Sequence, residues 1–260
     1  MRSILVHADR GHSTTARLEA GMALARSTGG HLTVLIDTPV QRYVAMDPMG
    51  GAYFAADALN RALAEDDARA AEIGERLTRQ DVPFDVIRSE AEPIDALASA
   101  ARLADVVILT RGSGLAGELA LTARTPVLVL PDAGELRLPL DVACIAWDGG
   151  DEAALALRSA VPLLGQCREV HVLTVTEKVS GFPASGAMNY LSRHGIKAEL
   201  VELVRAGTVA ETLAAAVKRL EGQLLIMGAY GKSRMRETIF GGVTRHFLDD
   251  SPGPALLLAH

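Results

Sequence analysis

Apolar residues in this chain fall into short unbroken runs, separated by longer stretches in which they recur every three or four positions. The first half carries Ile4-Leu5-Val6-His7, Leu32-Thr33-Val34-Leu35-Ile36, Phe84-Asp85-Val86-Ile87-Arg88, Ala104-Asp105-Val106-Val107-Ile108-Leu109 and Thr125-Pro126-Val127-Leu128-Val129-Leu130. The second half carries Cys144-Ile145-Ala146-Trp147, Val170-His171-Val172-Leu173-Thr174, Ala198-Glu199-Leu200-Val201-Glu202, Gly222-Gln223-Leu224-Leu225-Ile226-Met227 and Gly253-Pro254-Ala255-Leu256-Leu257-Leu258. Runs of this kind predict strands covered on both faces. The stretches between them predict helices. In 208–221, Leu213, Val217 and Leu220 form one stripe, and Thr208 with Glu211 reads as an N-cap and its capping-box partner. Strands alternating with helices over short connections predict an α/β fold, a doubly wound parallel sheet with right-handed crossovers.

The pattern occurs twice. Corresponding segments keep their order at offsets of 140, 138, 116, 118 and 128 residues. The chain therefore reads as two tandem five-stranded domains, 1–136 and 137–260, joined through the Pro131–Pro139 linker. The drifting offset locates the differences between the copies. The first half has about 22 extra residues, mostly around 40–65, and the second has ten extra at 228–252. Within the first insertion, 41–56 concentrates Tyr43, Met46, Pro48, Met49, Gly50, Gly51, Tyr53 and Phe54. That segment reads either as a lid or contact patch, or as a loop packing its aromatics locally.

Composition narrows the function classes. With 32 acidic against 26 basic residues the net charge is −6, which argues against a nucleic-acid surface. It leaves a small anionic ligand open, because local amides can hold phosphate whatever the global charge. Cys144 and Cys167 form no Cys-x-x-Cys pair and read as core hydrophobes in a reducing compartment. The sequence contains neither a signal-like h-region nor a membrane-length apolar run, so the expectation is a cytoplasmic protein with no membrane partner.

Candidate chemistry concentrates in the second insertion. After Leu224–Met227 the chain reads Gly228-Ala229-Tyr230-Gly231-Lys232-Ser233 and continues to Gly241-Gly242-Val243-Thr244. Glycine directly after a strand lets backbone approach a ligand, and the helix expected from Val243 to Leu248 would aim free amides at an anion. Gly231-Lys232-Ser233 is not a P-loop, because Ile226 stands where the pattern needs glycine. A dinucleotide Gly-x-Gly-x-x-Gly is also missing after the first strand of either unit. No Gly-x-Ser-x-Gly elbow or His-Glu-x-x-His occurs, and His7 and His171 read as structural, so no catalytic residue is assigned.

What remains is Gly228-x2-Gly231-x9-Gly241, together with Ala146-Trp147-Asp148-Gly149-Gly150 at the start of the second unit. On these two motifs the chain resembles the tandem form of the universal stress protein family, along essentially its whole length. The resemblance implies a Rossmann-like adenine-nucleotide fold, paired as an internal pseudo-dimer through the final strands. It implies ATP, with or without Mg2+, in the second unit, and at most a slow ATPase. Asp148 would meet the adenosine and Val175 would line the base pocket. Met227, Gly228, Gly231, Gly241 and Gly242 would wrap ribose and phosphates, flanked by Ala146, Trp147, Lys232, Val243 and Thr244. Lys232, Arg236 and Arg245 add positive charge. One departure stands out: Gly242 occupies a position where the family usually has Ser or Thr. Losing one hydroxyl donor to phosphate weakens binding about ten- to a hundredfold. In the first unit the loop is short, and Ala8 falls opposite Asp148 at an offset of 140 with Asp9 adjacent, so nucleotide binding is not expected there. The alternatives are an interaction scaffold that binds no nucleotide, and a binder of another metabolite or an apolar ligand; a homodimer of whole chains is left open.

Overall fold

The structure, a computed structural model, describes residues 1–46, 52–132, 136–175, 181–231, 242–249 and 253–260. The first unit runs β1 (Ser3–His7), α1 (Thr14–Thr28), β2 (His31–Asp37), β3 (Val44–Met46), β4 (Ala52–Phe54), α2 (Ala56–Thr78), β5 (Phe84–Ser89), α3 (Pro93–Ala100), β6 (Val106–Thr110), α4 (Ala116–Thr122) and β7 (Val127–Leu130). The second runs β8 (Val142–Ala146), α5 (Asp151–Leu164), β9 (Glu169–Val175), α6 (Ala184–Arg193), β10 (Glu199–Leu203), α7 (Val209–Arg219), β11 (Leu224–Gly228), α8 (Gly242–Asp249) and β12 (Ala255–Ala259).

Ten strands form one sheet in the order β10-β9-β8-β11-β12-β7-β6-β1-β2-β5. Within this sheet the five strands of each unit are parallel, and the first of the five sits between the second and the fourth, β1 between β2 and β6 and β8 between β9 and β11. The units meet where β12 pairs antiparallel with β7, matching Leu256 with Val129, Leu257 with Leu128 and Leu258 with Val127. All six residues are 0% exposed. The final strands expected at the interface are therefore its core.

Alternate residues of these strands feed the two layers. Val6, Ile108, Leu128, Leu257, Ile226 and Ile145 lie under α1, α2, α5 and α6, while Leu5, Leu109, Val129, Leu256, Leu225 and Cys144 lie under α3, α4, α7 and α8. Cys144 is one of these core atoms, and burial pushes its thiol up to about 12, which keeps it protonated. The α7 cap forms as read from sequence. The Glu211 N–H donates to Thr208 Oγ1 at 3.1 Å, and the Thr208 N–H donates to the Glu211 carboxylate at 2.8 Å.

The extra length of the first unit builds the β3–β4 hairpin and a long α2 of 23 residues, against 10 in α6. Pro48, Met49, Gly50 and Gly51 of the 41–56 segment lie outside the described residues. Among the described residues, no helix is long and apolar enough to cross a membrane.

The seam gives a stability prediction. Leu257→Ala removes a fully buried side chain from the central pairing. Urea denaturation should show a loss of about 2–5 kcal/mol in unfolding free energy, whereas Leu103→Ala, at 89% exposure, should shift it little.

Candidate functional site

In an open α/β sheet, ligands enter at the carboxyl ends of the strands, where the strand order reverses. In the second unit that point lies between β8 and β11. Ala146 ends β8 half-buried. Trp147 still belongs to the sheet: its N–H donates to the Leu173 carbonyl at 2.8 Å. Its ring is only 7% exposed, and its Nε1–H donates to the Phe182 carbonyl at 3.0 Å. Trp147 is thus an anchor for the segment after β9. Asp148 is the first residue to leave the sheet, and its Oδ1 accepts the Gly150 N–H at 2.8 Å just before α5 begins.

Gly149 makes this turn possible. Its φ of 73° lies in the left-handed region, and an ideal Cβ there would stand 2.5 Å from the backbone nitrogen and oxygen of Phe182. The Phe182 N–H donates to the Gly149 carbonyl at 3.0 Å, so two hydrogen bonds clamp the segment at 182 onto the Asp148 turn. Phe182 itself is 62% exposed beside the turn. Its role was not picked out from the sequence.

Across the mouth stands the glycine run. A Cβ on Gly228 would lie 2.7 Å from the Ala153 nitrogen and 2.8 Å from the Glu152 carbonyl carbon. Only glycine lets the end of β11 pass so close to the first turn of α5. Ala229 is sealed by a bond from its N–H to the Ala259 carbonyl at 2.8 Å. Tyr230 turns the chain with φ of 57°, and its N–H donates to Thr244 Oγ1 at 3.3 Å. Thr244 is 2% exposed and faces this loop, so its hydroxyl holds the turn instead of pointing outward. Burial pushes the Tyr230 phenol up to about 12. Gly231 returns to the mouth, where a Cβ would touch Asp148 Oδ2 and Glu152 Oε2, each at 3.5 Å.

The structure therefore gathers Asp148, Gly228 and Gly231 at one opening and adds Glu152, a carboxylate not picked out from sequence. Met227 is 4% exposed and belongs to the core beneath, and Val175 ends β9 half-buried. Gly242 is the exposed first residue of α8, with Val243 half-buried behind it. A Cβ on Gly242 would meet nothing within 4 Å among the described residues. Lys232 and Gly241 lie outside the described residues.

The first unit has the same geometry and a different filling. The Ala8 N–H donates to the Leu35 carbonyl at 2.8 Å, as Trp147 does to Leu173, and the Gly11 N–H donates to Asp9 Oδ1 at 2.8 Å, as Gly150 does to Asp148. Asp9, not Ala8, is thus the counterpart of Asp148; the true offset of the first strands is 139. By the same register Thr110 stands where Gly228 does.

Arg17 joins them. It is 1% exposed, donates from Nη1 to Thr110 Oγ1 at 2.8 Å, and donates from Nη2 to Thr14 Oγ1 at 2.9 Å and to the Asp9 carboxylate. Arg69 of α2 donates to the Asp9 carbonyl, and the Thr38 hydroxyl donates to the buried Asp66 at 2.5 Å. His7 and Asp37, the counterparts of Ala146 and Val175, hydrogen-bond through Nε2 and Oδ1. Where the second unit has Gly228 and Ala146, the first has Thr110 and His7, each tied to a charged side chain.

Comparisons with known proteins fit this geometry. The universal stress protein family model matches residues 141–259. Residues 141–259 are a universal stress protein domain. The whole chain resembles a universal stress protein from Archaeoglobus fulgidus DSM 4304 with a TM-score of 0.75 at 14% identity, over 99% of this chain and 96% of that one. It also resembles a universal stress protein from Pseudomonas aeruginosa UCBPP-PA14 with a TM-score of 0.63 at 15% identity, over 100% of this chain and 93% of that one. A universal stress protein in complex with cAMP aligns with 46% of this chain and 97% of its own, at 14% identity and a TM-score of 0.37. Comparison with curated proteins gives no match. The first unit thus shares the universal stress protein fold, while the family model matches the second.

Arg17 sets the stability of the first unit. Arg17→Ala leaves Asp9 and Thr110 facing each other without their shared donor, which should lower stability by about 3–5 kcal/mol in chemical denaturation. The same pair has a pH signature. Burial pushes the Asp9 carboxyl up, the Arg17 hydrogen bond and charge push it down, and it settles below its ordinary value. A depressed carboxyl contributes stability above its unfolded pKa and loses it as pH falls through the folded one. The stability measured as pH drops below about 4 should decline less steeply in Asp9→Asn than in the unaltered chain.

Proposed function

We propose that this protein binds an adenine nucleotide, with ATP the first candidate, in the second unit, and acts as a stress-associated binding protein. The observation that carries the reading is the meeting of Asp148 with Gly228 and Gly231 at the point where strand order reverses. A carboxylate whose Oδ1 is already engaged by Gly150 still offers Oδ2 to a ribose hydroxyl or an adenine amino group. Gly228 brings backbone without a side chain to the same opening, and α8 begins at Gly242, where the first-turn N–H groups of a helix suit a phosphate.

The acidic side of the mouth favours one form of the nucleotide. Asp148 Oδ1 and Glu152 Oε2 lie 3.0 and 3.3 Å from the same point, the position a Cβ would take on Gly150. Two converging carboxylates repel a bare triphosphate and suit one chelated by Mg2+, which is commonly held by one or two carboxylates plus substrate phosphates. The ligand is therefore taken to be Mg-ATP, and one nucleotide is expected per chain because Arg17 occupies the matching space in the first unit.

Calorimetric titration with Mg-ATP tests this. A single saturable site should appear, and Gly231→Val, which pushes methyl groups toward Asp148 and Glu152, should weaken it at least tenfold. Gly242→Ser meets no described residue at its Cβ and adds a hydroxyl donor, so it should tighten binding by about tenfold. Absence of any thermal shift at millimolar Mg-ATP would sink the reading in favour of a partner-binding role.

A further inference from the structure

A groove of about 930 Å³ opens between the two units, away from the glycine run. Its walls come from α3, from the segments entering β6 and β7, and from α5 of the second unit. Three arginines line it: Arg102 and Arg124 from the first unit and Arg158 from the second. All three are exposed, and none of their guanidinium groups has an ion-pair or hydrogen-bond partner among the described residues.

The guanidinium groups of Arg2, Arg193 and Arg219 are likewise without a partner among the described residues, but Arg102, Arg124 and Arg158 line one groove. Arg10, Arg17, Arg42, Arg76, Arg79, Arg88, Arg168 and Arg245 each lie within 4.0 Å of a carboxylate. Acidic residues outnumber basic ones 32 to 26, so partners are plentiful. Two aspartates also line the groove, yet neither neutralises an arginine. Asp105 accepts the Arg2 N–H at 2.5 Å and the Ser3 N–H at 3.0 Å, and these bonds, working against the cost of burial, hold its carboxyl below the ordinary range. Asp95 sits in the first turn of α3, where the helix dipole favours a negative charge. Three arginines lining one groove concentrate positive charge there, which favours an anion.

We propose that this groove is a binding site for a small multivalent oxyanion, such as a phosphorylated or polycarboxylated metabolite, held by Arg158 of one unit and by Arg102 and Arg124 of the other. Arginine matches such groups because its planar fork gives two parallel hydrogen bonds to phosphate or carboxylate. The volume suits a metabolite-sized ligand. Ser99, Ser159 and Thr122 line the same groove and add neutral hydrogen-bonding groups. The site is independent of the nucleotide reading, since it shares no residue with Asp148, Gly228, Gly231 or Gly242.

The test is calorimetric titration of the full chain with inorganic pyrophosphate and with citrate, at low and at raised sodium chloride. Gly231→Val is included so that pyrophosphate lodging at the glycine run is separated from binding in the groove. One saturable site is expected in both the unaltered chain and Gly231→Val, weakened by added salt. Arg158→Gln alone and the pair Arg102→Gln with Arg124→Gln should each weaken it about tenfold or more, without changing the melting temperature of the ligand-free protein. Both substitutions are at exposed positions, so folding is kept. Binding of either probe supports the proposal and identifies phosphate or carboxylate as the preferred group. The proposal is overturned if neither probe saturates, if all arginine variants bind as tightly as the parent, or if binding disappears in Gly231→Val alone.

Discussion

The pairing of β12 with β7 is the constraint on which the other features rest. Three residue pairs, all fully buried, convert two five-stranded sheets into one of ten. Because the pairing is antiparallel, the carboxyl ends of one unit's strands lie beside the amino ends of the other's. The two strand-order reversals therefore open in opposite directions, and the candidate nucleotide site has no counterpart next to it. The same reversal brings α5 of one unit near the amino-terminal strand ends of the other, which creates the groove where arginines of both units meet.

Within that frame, the two units differ through a few side chains at matched positions. Where the second unit has Gly228, the first has Thr110; where α5 presents Ala156 to the core, α1 presents Arg17. A glycine at the strand end lets the helix close in and puts no side chain there. A threonine there, with an arginine reaching it, fills the same space with charge that the fold must neutralise. Asp9 does that work, so the carboxylate that Asp148 can offer to a ligand is spent internally in the first unit. The divergence is a change of polarity inside an unchanged backbone.

Much of the architecture was legible because it rests on local patterns. The repeated strand runs and the capping box of α7 follow from short windows of residues, where periodicity and cap chemistry act directly, whereas the joining of the final strands was implied only by the family resemblance. The candidate site was legible in part. Asp148, Gly228 and Gly231 announced themselves through their place after strands. Phe182 did not, and although Trp147 and Thr244 were named as flanking residues, their turning into the fold was not legible, since which way a side chain turns depends on neighbours far along the chain. The matching of Ala8 with Asp148 slipped by one residue because apolar runs align almost equally well one step apart, and only the backbone bonds fix the register. Arg17 was invisible for a related reason: a long cation on a helix normally reaches water, and its burial depends on Asp9 and Thr110 arriving from two other elements. The groove needs residues from 95 to 162 to converge, and no linear motif could announce it.

The linker also has a consequence for assembly. β7 ends at Leu130 and β8 begins at Val142, so only a short stretch separates the halves. Were the halves separate molecules, the β7–β12 contact would form by collision and dissolve on dilution, following mass action. Tethered this closely, each half meets the other at an effective concentration that dilution does not change. A groove built from both halves thus persists at any cellular abundance of the protein, and its response to a ligand reflects the ligand's concentration alone.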